Sequence, residues 1–288
     1  MTALSVVIVN VERDRSSVDD ALRALSREVV DGDQVVWVDA GGISCDLREA
    51  DRVAAPSGLG RGDLYGLGLQ VARHELVAFT DSATRLEPGW RSAAMAAFAT
   101  GAGVVGGPVL PGDLRSTLDA AGFLVEYGPH AVPPFVSATG DVAANNVAYR
   151  RSVLVSVVPQ GGAVWKTVVN GRLRERGTGP AVAPGMRVVV TKRYAWGDVG
   201  RGRVAAGRLY GAQRGASWSV THRAAAALGC AALPFLAYGR LVRRVATEPA
   251  LRRALVRSSP VVLLALTAWS MGEALGYLLG NGDRRATF

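Results

Sequence analysis

Cysteine is nearly absent from this 288-residue chain: the two present, Cys45 and Cys230, stand far apart. They offer neither a disulfide framework nor metal-ligand spacing, so a reducing cytosolic compartment is expected. Histidine is almost as scarce. His74, His130 and His222 are scattered and suggest no catalytic or metal-binding cluster. Lysine is limited to Lys166 and Lys192, so arginine carries nearly all of the positive charge behind the net +9 and the pI of about 10.2. No unit of 20–50 residues repeats, which excludes a solenoid or propeller. The N-terminus, MTALSVVIVN, has no basic residues ahead of its apolar run. It is expected to be a first strand and not a signal peptide.

What is present is abundant apolar sequence, 49% of residues, enough for one large domain or a domain with an appendage. Arginine-, alanine- and valine-rich usage fits a GC-rich bacterial genome. A basic chain can meet nucleic acid, an anionic membrane or a phosphorylated substrate. No nucleic-acid recognition motif occurs, and the arginine cluster lies beside apolar segments. An anionic membrane surface is therefore the expected partner, and nucleic acid is not.

The first half alternates strand and helix patterns. Leu4–Val9 reads as a buried strand, followed by a helix capped by Ser16 or Ser17 with Val18, Leu22 and Leu25 on its apolar face. Gln34–Val38 is the next strand, ending at Asp39, and Arg52–Ala55 is a short third. A loop at Gly58–Gly62 leads into a helix over Leu64–Ala72. That loop lacks the spacing of a dinucleotide fingerprint, so it does not predict NAD binding. A buried strand, Leu76–Phe79, then delivers Asp81 at its carboxyl end. The pattern implies a parallel sheet covered on both faces, with ligands expected at the carboxyl edge.

The middle of the chain is looser. A helical piece around Ser116–Glu126 precedes a loop at Pro129–Pro134, and AANNVAYRR (Ala143–Arg151) opens a helix from Ser152. A basic helix over Val168–Arg176 and a strand over Met186–Val190 follow. The last quarter is different in kind. Ala224–Gly239 and Pro260–Gly280 are nearly continuous apolar runs, separated by a segment with Arg243, Arg244, Arg252, Arg253 and Arg257. As helices they would extend roughly 24 Å and 31 Å, against a hydrocarbon core of about 30 Å. A transmembrane hairpin would place the arginines across the membrane, against the positive-inside tendency. A monotopic or re-entrant tail on anionic headgroups of the cytoplasmic face is the better expectation.

Several segments together resemble family-2 glycosyltransferases of the GT-A fold, especially bacterial members with a membrane-associated C-terminal tail. They are SVVIVN (Ser5–Asn10), VVWVDAGG (Val35–Gly42), GLGRGDLYGLGLQVARHELVAFTD (Gly58–Asp81), AANNVAYRRSVL (Ala143–Leu154), GRLYGAQR (Gly207–Arg214) and WSMGEALGYLLG (Trp269–Gly280). The resemblance implies a Rossmann-like, nucleotide-diphospho-sugar transferase fold: a mixed, mostly parallel α/β sheet with helices on both faces, plus C-terminal apolar helices. It implies a transferase domain over residues 1–215 and a membrane-associated helical tail over 216–288.

By the same resemblance, Asp39, Arg61 and Asp81 bind the nucleotide-sugar donor. Asp81 ligates Mg²⁺ or Mn²⁺ against the diphosphate, and Asn145 and Asn146 lie on the acceptor side. The acceptor would be a lipid-linked or cell-envelope glycan. Two departures fall at the chemistry. Ser82 and Ala83 stand where the acidic motif offers a second acid, and Lys166 occupies the position of the general base of an inverting transfer. A protonated lysine cannot take up a proton, which leaves Asp141 and Glu175 as weak candidates for the base. The alternative expectation is a catalytically inactive, glycosyltransferase-like scaffold or regulator that binds a protein partner in envelope polysaccharide assembly.

Overall fold

The computed structural model describes residues 2–12, 14–45, 47, 49–56, 58–137 and 140–280. The chain divides into two compact units, one of residues 1–112 and 133–192, the other of 113–132 and 193–288.

The first unit is built on β1 (Leu4–Asn10), α1 (Arg15–Glu28), β2 (Gln34–Asp39), β3 (Asp51–Ala54), α2 (Arg61–Val71) and β4 (Leu76–Asp81). It continues with β5 (Thr84–Leu86), α3 (Trp90–Ala99), β6 (Val104–Gly106) and β7 (Val109–Pro111). Every residue of β1 and β4 is buried, as expected for central strands with helices on their faces. The helix α1 places Val18, Ala21, Leu22 and Leu25 on one buried face. Its cap is Asp14, whose carboxylate accepts from the amides of Ser16 and Ser17, and not the expected serines. Aspartate two positions before Ser16 leaves both serine amides inside the first turn, where they need an acceptor.

Beyond the excursion into the second unit, the chain returns as β8 (Val147–Arg150), α5 (Arg151–Val155), α6 (Lys166–Glu175), β9 (Ala181–Val182) and β10 (Val188–Val190). The main sheet has the order β3-β2-β1-β4-β8-β6-β9. The strands β3, β2, β1 and β4 run parallel, and β8 is antiparallel to both β4 and β6. A second sheet, β5-β10-β7, joins an antiparallel and a parallel pair. The architecture is the expected mixed, mostly parallel α/β sheet with helices around it. Five short strands were not expected: Thr84–Leu86, Val104–Gly106, Val109–Pro111, Ala181–Val182 and Val147–Arg150, the last within the segment read as the lead into a helix. Each is too short to show a period-2 pattern, and long-range pairing supplies its hydrogen bonds.

The core joins the sheet to α2 through aromatic packing. The Phe79 ring meets Tyr65 edge-on at 5.1 Å and Tyr149 at 5.9 Å. Burial of such rings stabilises by roughly 1.5–3 kcal/mol each. Gly68 lets α2 approach β1 closely, since a Cβ there would lie 2.2 Å from Val7 Cγ1.

The second unit is helical. It contains α4 (Thr117–Ala131), a π-helical turn at Asp198–Gly202, α7 (Arg203–Arg214), α8 (Val220–Gly229), a 3₁₀ turn at Cys230–Ala232, α9 (Leu233–Val245) and α10 (Pro249–Leu279). Of the loop expected at Pro129–Pro134, Pro129–Ala131 is instead the last turn of α4, and Pro260 lies inside α10. Surrounding helices hold both segments where proline alone would signal a break.

The helices α7 and α10 meet backbone to backbone. A Cβ on Gly207 would lie 2.2 Å from the Trp269 carbonyl, and one on Gly211 would lie 2.3 Å from the Glu273 carbonyl. In return, Gly272 abuts the Val204 carbonyl and Gly276 that of Arg208. Small residues every fourth position permit such close approach. The helix α4 is tied to the start of α7. The Asp119 carboxylate accepts from the Tyr194 amide at 3.0 Å and pairs with Arg193 at 3.2 Å. Glu126 accepts from the Tyr194 hydroxyl and pairs with Arg203, both at 2.7 Å. Glu273, the one acid in the second apolar run, is buried in this unit. It accepts from Trp269 Nε1 at 3.1 Å and the Tyr277 hydroxyl at 2.8 Å, with Arg214 at 3.9 Å.

Val220–Val245 and Pro249–Leu279 are both long and apolar enough to cross a membrane, each with a mean hydropathy of 1.5, which by itself is weak evidence. Among the described residues, nearly all exposed large apolar side chains lie in this unit, including Leu228 at 80% and Phe235 at 73%.

Candidate active site at the carboxyl edge of the sheet

The parallel register sets the geometry of the site. Asn10 lies beside Asp39, and Val9 beside Asp81, so the two acids flank the end of β1 about two strand spacings apart, roughly 10 Å. Asn10 bridges them. Its Nδ2 donates to Asp39 Oδ1 at 2.8 Å, and its Oδ1 accepts from Ser82 Oγ at 2.6 Å. Asp39 Oδ1 also accepts from the amides of Gly41 and Gly42, both at 3.0 Å, which holds the loop after β2 in a tight turn. The bridging role of Asn10 was missed in the sequence. Its signal was a polar residue ending an otherwise apolar strand.

Asp81 is 3% exposed and fully engaged. Oδ2 accepts from Arg61 Nη1 at 3.0 Å, and Oδ1 accepts from Thr84 Oγ1 at 2.6 Å and the Ala83 amide at 3.2 Å. Thr84 Oγ1 in turn accepts from Asn145 Nδ2 at 2.9 Å. The structure thus gathers Arg61, Asp81 and Asn145 into one network, and sets beside it a second one of Asp39, Asn10 and Ser82, the chain neighbour of Asp81. Within the first the Asn145 Oδ1 and Tyr65 hydroxyl atoms are buried without a hydrogen-bond partner. Burial, and after it the charge of Asp81, pushes the Tyr65 phenol well above its usual pKa, so it stays a neutral donor. Unpartnered buried polar atoms are costly and uncommon outside functional sites.

Asn146 is used differently. Its Oδ1 accepts from Trp90 Nε1 at 2.8 Å, and its Nδ2 donates to the carbonyls of Pro108 and Met186 at 3.0 and 2.7 Å. The amide expected on the acceptor side is therefore occupied in clamping β7, β10 and α3 together.

Lys166 opens α6 and meets Asp141. Its Nζ lies 3.2 Å from Asp141 Oδ2 and donates to the Val142 carbonyl at 2.8 Å. Asp141 is also held by Asn170 Nδ2, and Asn170 accepts from the Tyr149 hydroxyl at 2.9 Å. Burial, followed by the nearby Asp141 charge, raises the Tyr149 pKa well above normal. Glu175 is exposed at the other end of α6, about 14 Å along the axis from Lys166, so the structure does not bring it to this cluster. The preceding Trp165 covers the start of α2, where a Cβ on Gly62 would lie 2.5 Å from its ring, and the Val164 amide donates to the Gly62 carbonyl at 2.8 Å. This brings the Lys166 segment against the helix that carries Arg61.

Strand order, register and the carboxyl-edge cluster can be set beside solved structures. The chain is similar to the mannosyltransferase PcManGT from Pyrobaculum calidifontis in complex with GDP-mannose and Mn²⁺: TM-score 0.51, 15% identity, covering 92% of this chain and 86% of that one. The fold is GT-A. Two further structures are similar at lower TM-scores. Staphylococcus aureus TarS 1–349 in complex with UDP-GlcNAc has a TM-score of 0.48 and 15% identity, covering 91% and 90% of the two chains. Glucosyl-3-phosphoglycerate synthase from Mycobacterium tuberculosis, in complex with Mn²⁺, UDP-glucose and phosphoglyceric acid, has 0.46 and 17%, covering 67% and 73%. No protein-family model matches the sequence, and no curated protein does.

The GT-A resemblance implies a divalent cation at Asp81, and the side chains there do not fit one. A hard cation needs about six oxygen ligands, at least one or two from carboxylates. Of Asp81, Ser82 and Ala83 only Asp81 carries a carboxylate, Ser82 is turned to Asn10, and Ala83 has no side-chain oxygen to offer. Among the described residues, no three His, Cys, Asp or Glu side chains form a group able to hold a metal. A cation seated on Oδ2 would also lie against the Arg61 guanidinium. At an effective dielectric of 20 and a separation of 4 Å, that repulsion is about 4 kcal/mol per unit of added charge.

Proposed function

We propose that this GT-A chain is a glycosyltransferase. It moves a sugar from a nucleotide-diphosphate donor to a lipid-linked or cell-envelope glycan acceptor at the cytoplasmic face of the membrane. The observation that carries this reading is the cluster of Asp39, Arg61, Asp81 and Asn145 at the carboxyl edge of a parallel sheet, where such sheets bind ligands. Asp39 accepts hydrogen bonds from the base or ribose, and Arg61 meets the diphosphate. Asn145, with an unpartnered Oδ1, accepts from a sugar hydroxyl.

Transfer with inversion breaks the bond from the anomeric carbon to the diphosphate, and the electron pair leaves with the nucleotide. The acceptor oxygen bonds that carbon and gives up its proton. Asp141 is the nearest acid to the expected base position, and deprotonation by it requires release from Lys166. In this reading residues 216–288 form the membrane-associated tail. Exposed apolar side chains on α8, α9 and α10 face the acyl region, and Arg243, Arg252, Arg253 and Arg257 meet anionic headgroups.

A second reading is a glycosyltransferase-like scaffold that binds a protein partner and performs no transfer. It is favoured by one specific observation: both candidate acids, Asp81 and Asp141, are already neutralised by basic side chains, Arg61 and Lys166. Titration calorimetry of the full chain with UDP, GDP and their sugars tests the donor site, and release of free nucleotide with membrane lipid extract as acceptor tests transfer. Binding of one nucleotide together with its release supports the transferase. Binding without release favours the scaffold. No binding by folded protein overturns the donor assignment.

A further inference from the structure

The misfit between Asp81 and a divalent cation has a positive counterpart in Arg61. We propose that the crevice binds the diphosphate of its nucleotide without a metal ion: the Arg61 guanidinium takes the place of the cation, and Asp81 serves to hold it there. The inference rests on the donor reading given above.

Three observations carry it. First, the only acid of the motif has its oxygens engaged by Arg61, Thr84 and the Ala83 amide, so its role within the cluster is to fix cationic and polar donors. Second, Arg61 retains 28% exposure of its side chain while Asp81 has 3%. The guanidinium is thus anchored on its buried side and reachable by solvent or ligand on the other. Third, Arg61 opens α2, and Trp165 closes against the flanking Gly60 and Gly62, which restricts where the arginine can move. An anchored guanidinium presents a planar fork of donors that matches phosphate oxygens. It can meet charge gathering on a leaving diphosphate from a fixed position, without reorganisation during transfer.

The decisive experiment is titration calorimetry of the full chain with UDP and with GDP, in EDTA and again in excess Mn²⁺. The expected result is that one nucleotide binds with affinities within about threefold of each other in the two buffers, well under the 1.4 kcal/mol that a tenfold change represents. Arg61→Gln should weaken that binding about 10- to 100-fold, the range for losing a charge-assisted hydrogen bond, and Arg61→Lys should fall between. Arg61→Gln leaves the buried Asp81 without its counter-charge, so some fall in Tm is expected, and a cooperative melt that starts well above the titration temperature separates lost binding from misfolding. In parallel, the paramagnetic resonance signal of free Mn²⁺ should not diminish when protein and nucleotide are added beyond the loss caused by nucleotide alone. Binding that requires Mn²⁺, or is tightened by it more than about tenfold, would overturn the inference and leave the donor reading intact. So would Arg61→Gln binding as the parent does. Silence in both buffers from folded protein would sink the donor reading and this inference with it.

Discussion

Replacing Lys166 by methionine probes the second ion pair of the site. The substitution keeps a chain of similar length and removes only the ammonium. Asp141 would then remain with the hydrogen bonds from Asn170 and the Val142 amide but without a counter-charge. Its side chain is 3% exposed, and that of Lys166 is 19%. Removing one partner of a buried pair costs about 3–5 kcal/mol. The low end applies, about 3 kcal/mol, because the lysine reaches water and two donors to Asp141 survive. At 2–4 °C per kcal/mol for a unit of this size, Tm should fall by roughly 6–12 °C. Calorimetry on Lys166→Met, Asp141→Asn and the double variant forms a cycle, and the double variant should recover about 1–3 kcal/mol of the summed loss. A melting point for Lys166→Met within about 2 °C of the parent, with no coupling in the cycle, would refute the pairing and return Lys166 to an ordinary solvated lysine. A glutamate at 166 would set two carboxylates against each other, so restoring an acid there should destabilise the fold unless Asp141 is neutralised too.

Further consequences concern other parts of the chain. Gly272→Leu would drive a side chain into the Val204 carbonyl, 2.1 Å from the Cβ position. Overpacking of about 1–3 kcal/mol or more is expected, read as a lower melting temperature of the helical unit, while Gly229→Ala, with open space around it, should change little. Asp33 is buried, which pushes its pKa up, but the bidentate bond from Arg91 and the amides of Val30 and Leu4 hold it below its usual value. Its stabilising contribution is therefore complete above the unfolded carboxylate pKa of about 3.9 and is lost as pH falls through the lower folded value. Asp33→Asn should flatten the fall in Tm below about pH 4, and an unchanged acid slope would contradict the assignment. Arg252→Gln with Arg253→Gln should lower partition onto phosphatidylserine vesicles about 30-fold, at about 1 kcal/mol per charge, with little effect on phosphatidylcholine. Equal binding of parent and variant to both would count against the tail as an anionic-membrane anchor.

The sequence by itself determined the α/β class, the central strands, the helix faces and the carboxyl-edge acids. Those features are local: four consecutive apolar residues, Val6–Val9, in β1 and an i, i+3, i+4, i+7 stripe in α1 specify burial whatever surrounds them. The GT-A fold was expected from a resemblance carried by motifs such as Ser5–Asn10, Gly58–Asp81 and Ala143–Leu154, beyond what these local patterns specify. Tertiary structure alone decided the strand at Val147–Arg150, the helical Pro129 and Pro260, and the pairing of the glycines of α7 with those of α10, since each depends on neighbours distant in sequence. It also decided the chemistry of the site. Nothing in the spacing of residues 61 and 81, or 141 and 166, announces an ion pair, and nothing in the Asn145-Asn146 dipeptide says that one amide joins the Asp81 network while the other locks β7 and β10. A side chain's identity is written in the sequence. Whether its hydrogen-bonding capacity is left for a ligand is set by what the fold places within about 3 Å of it.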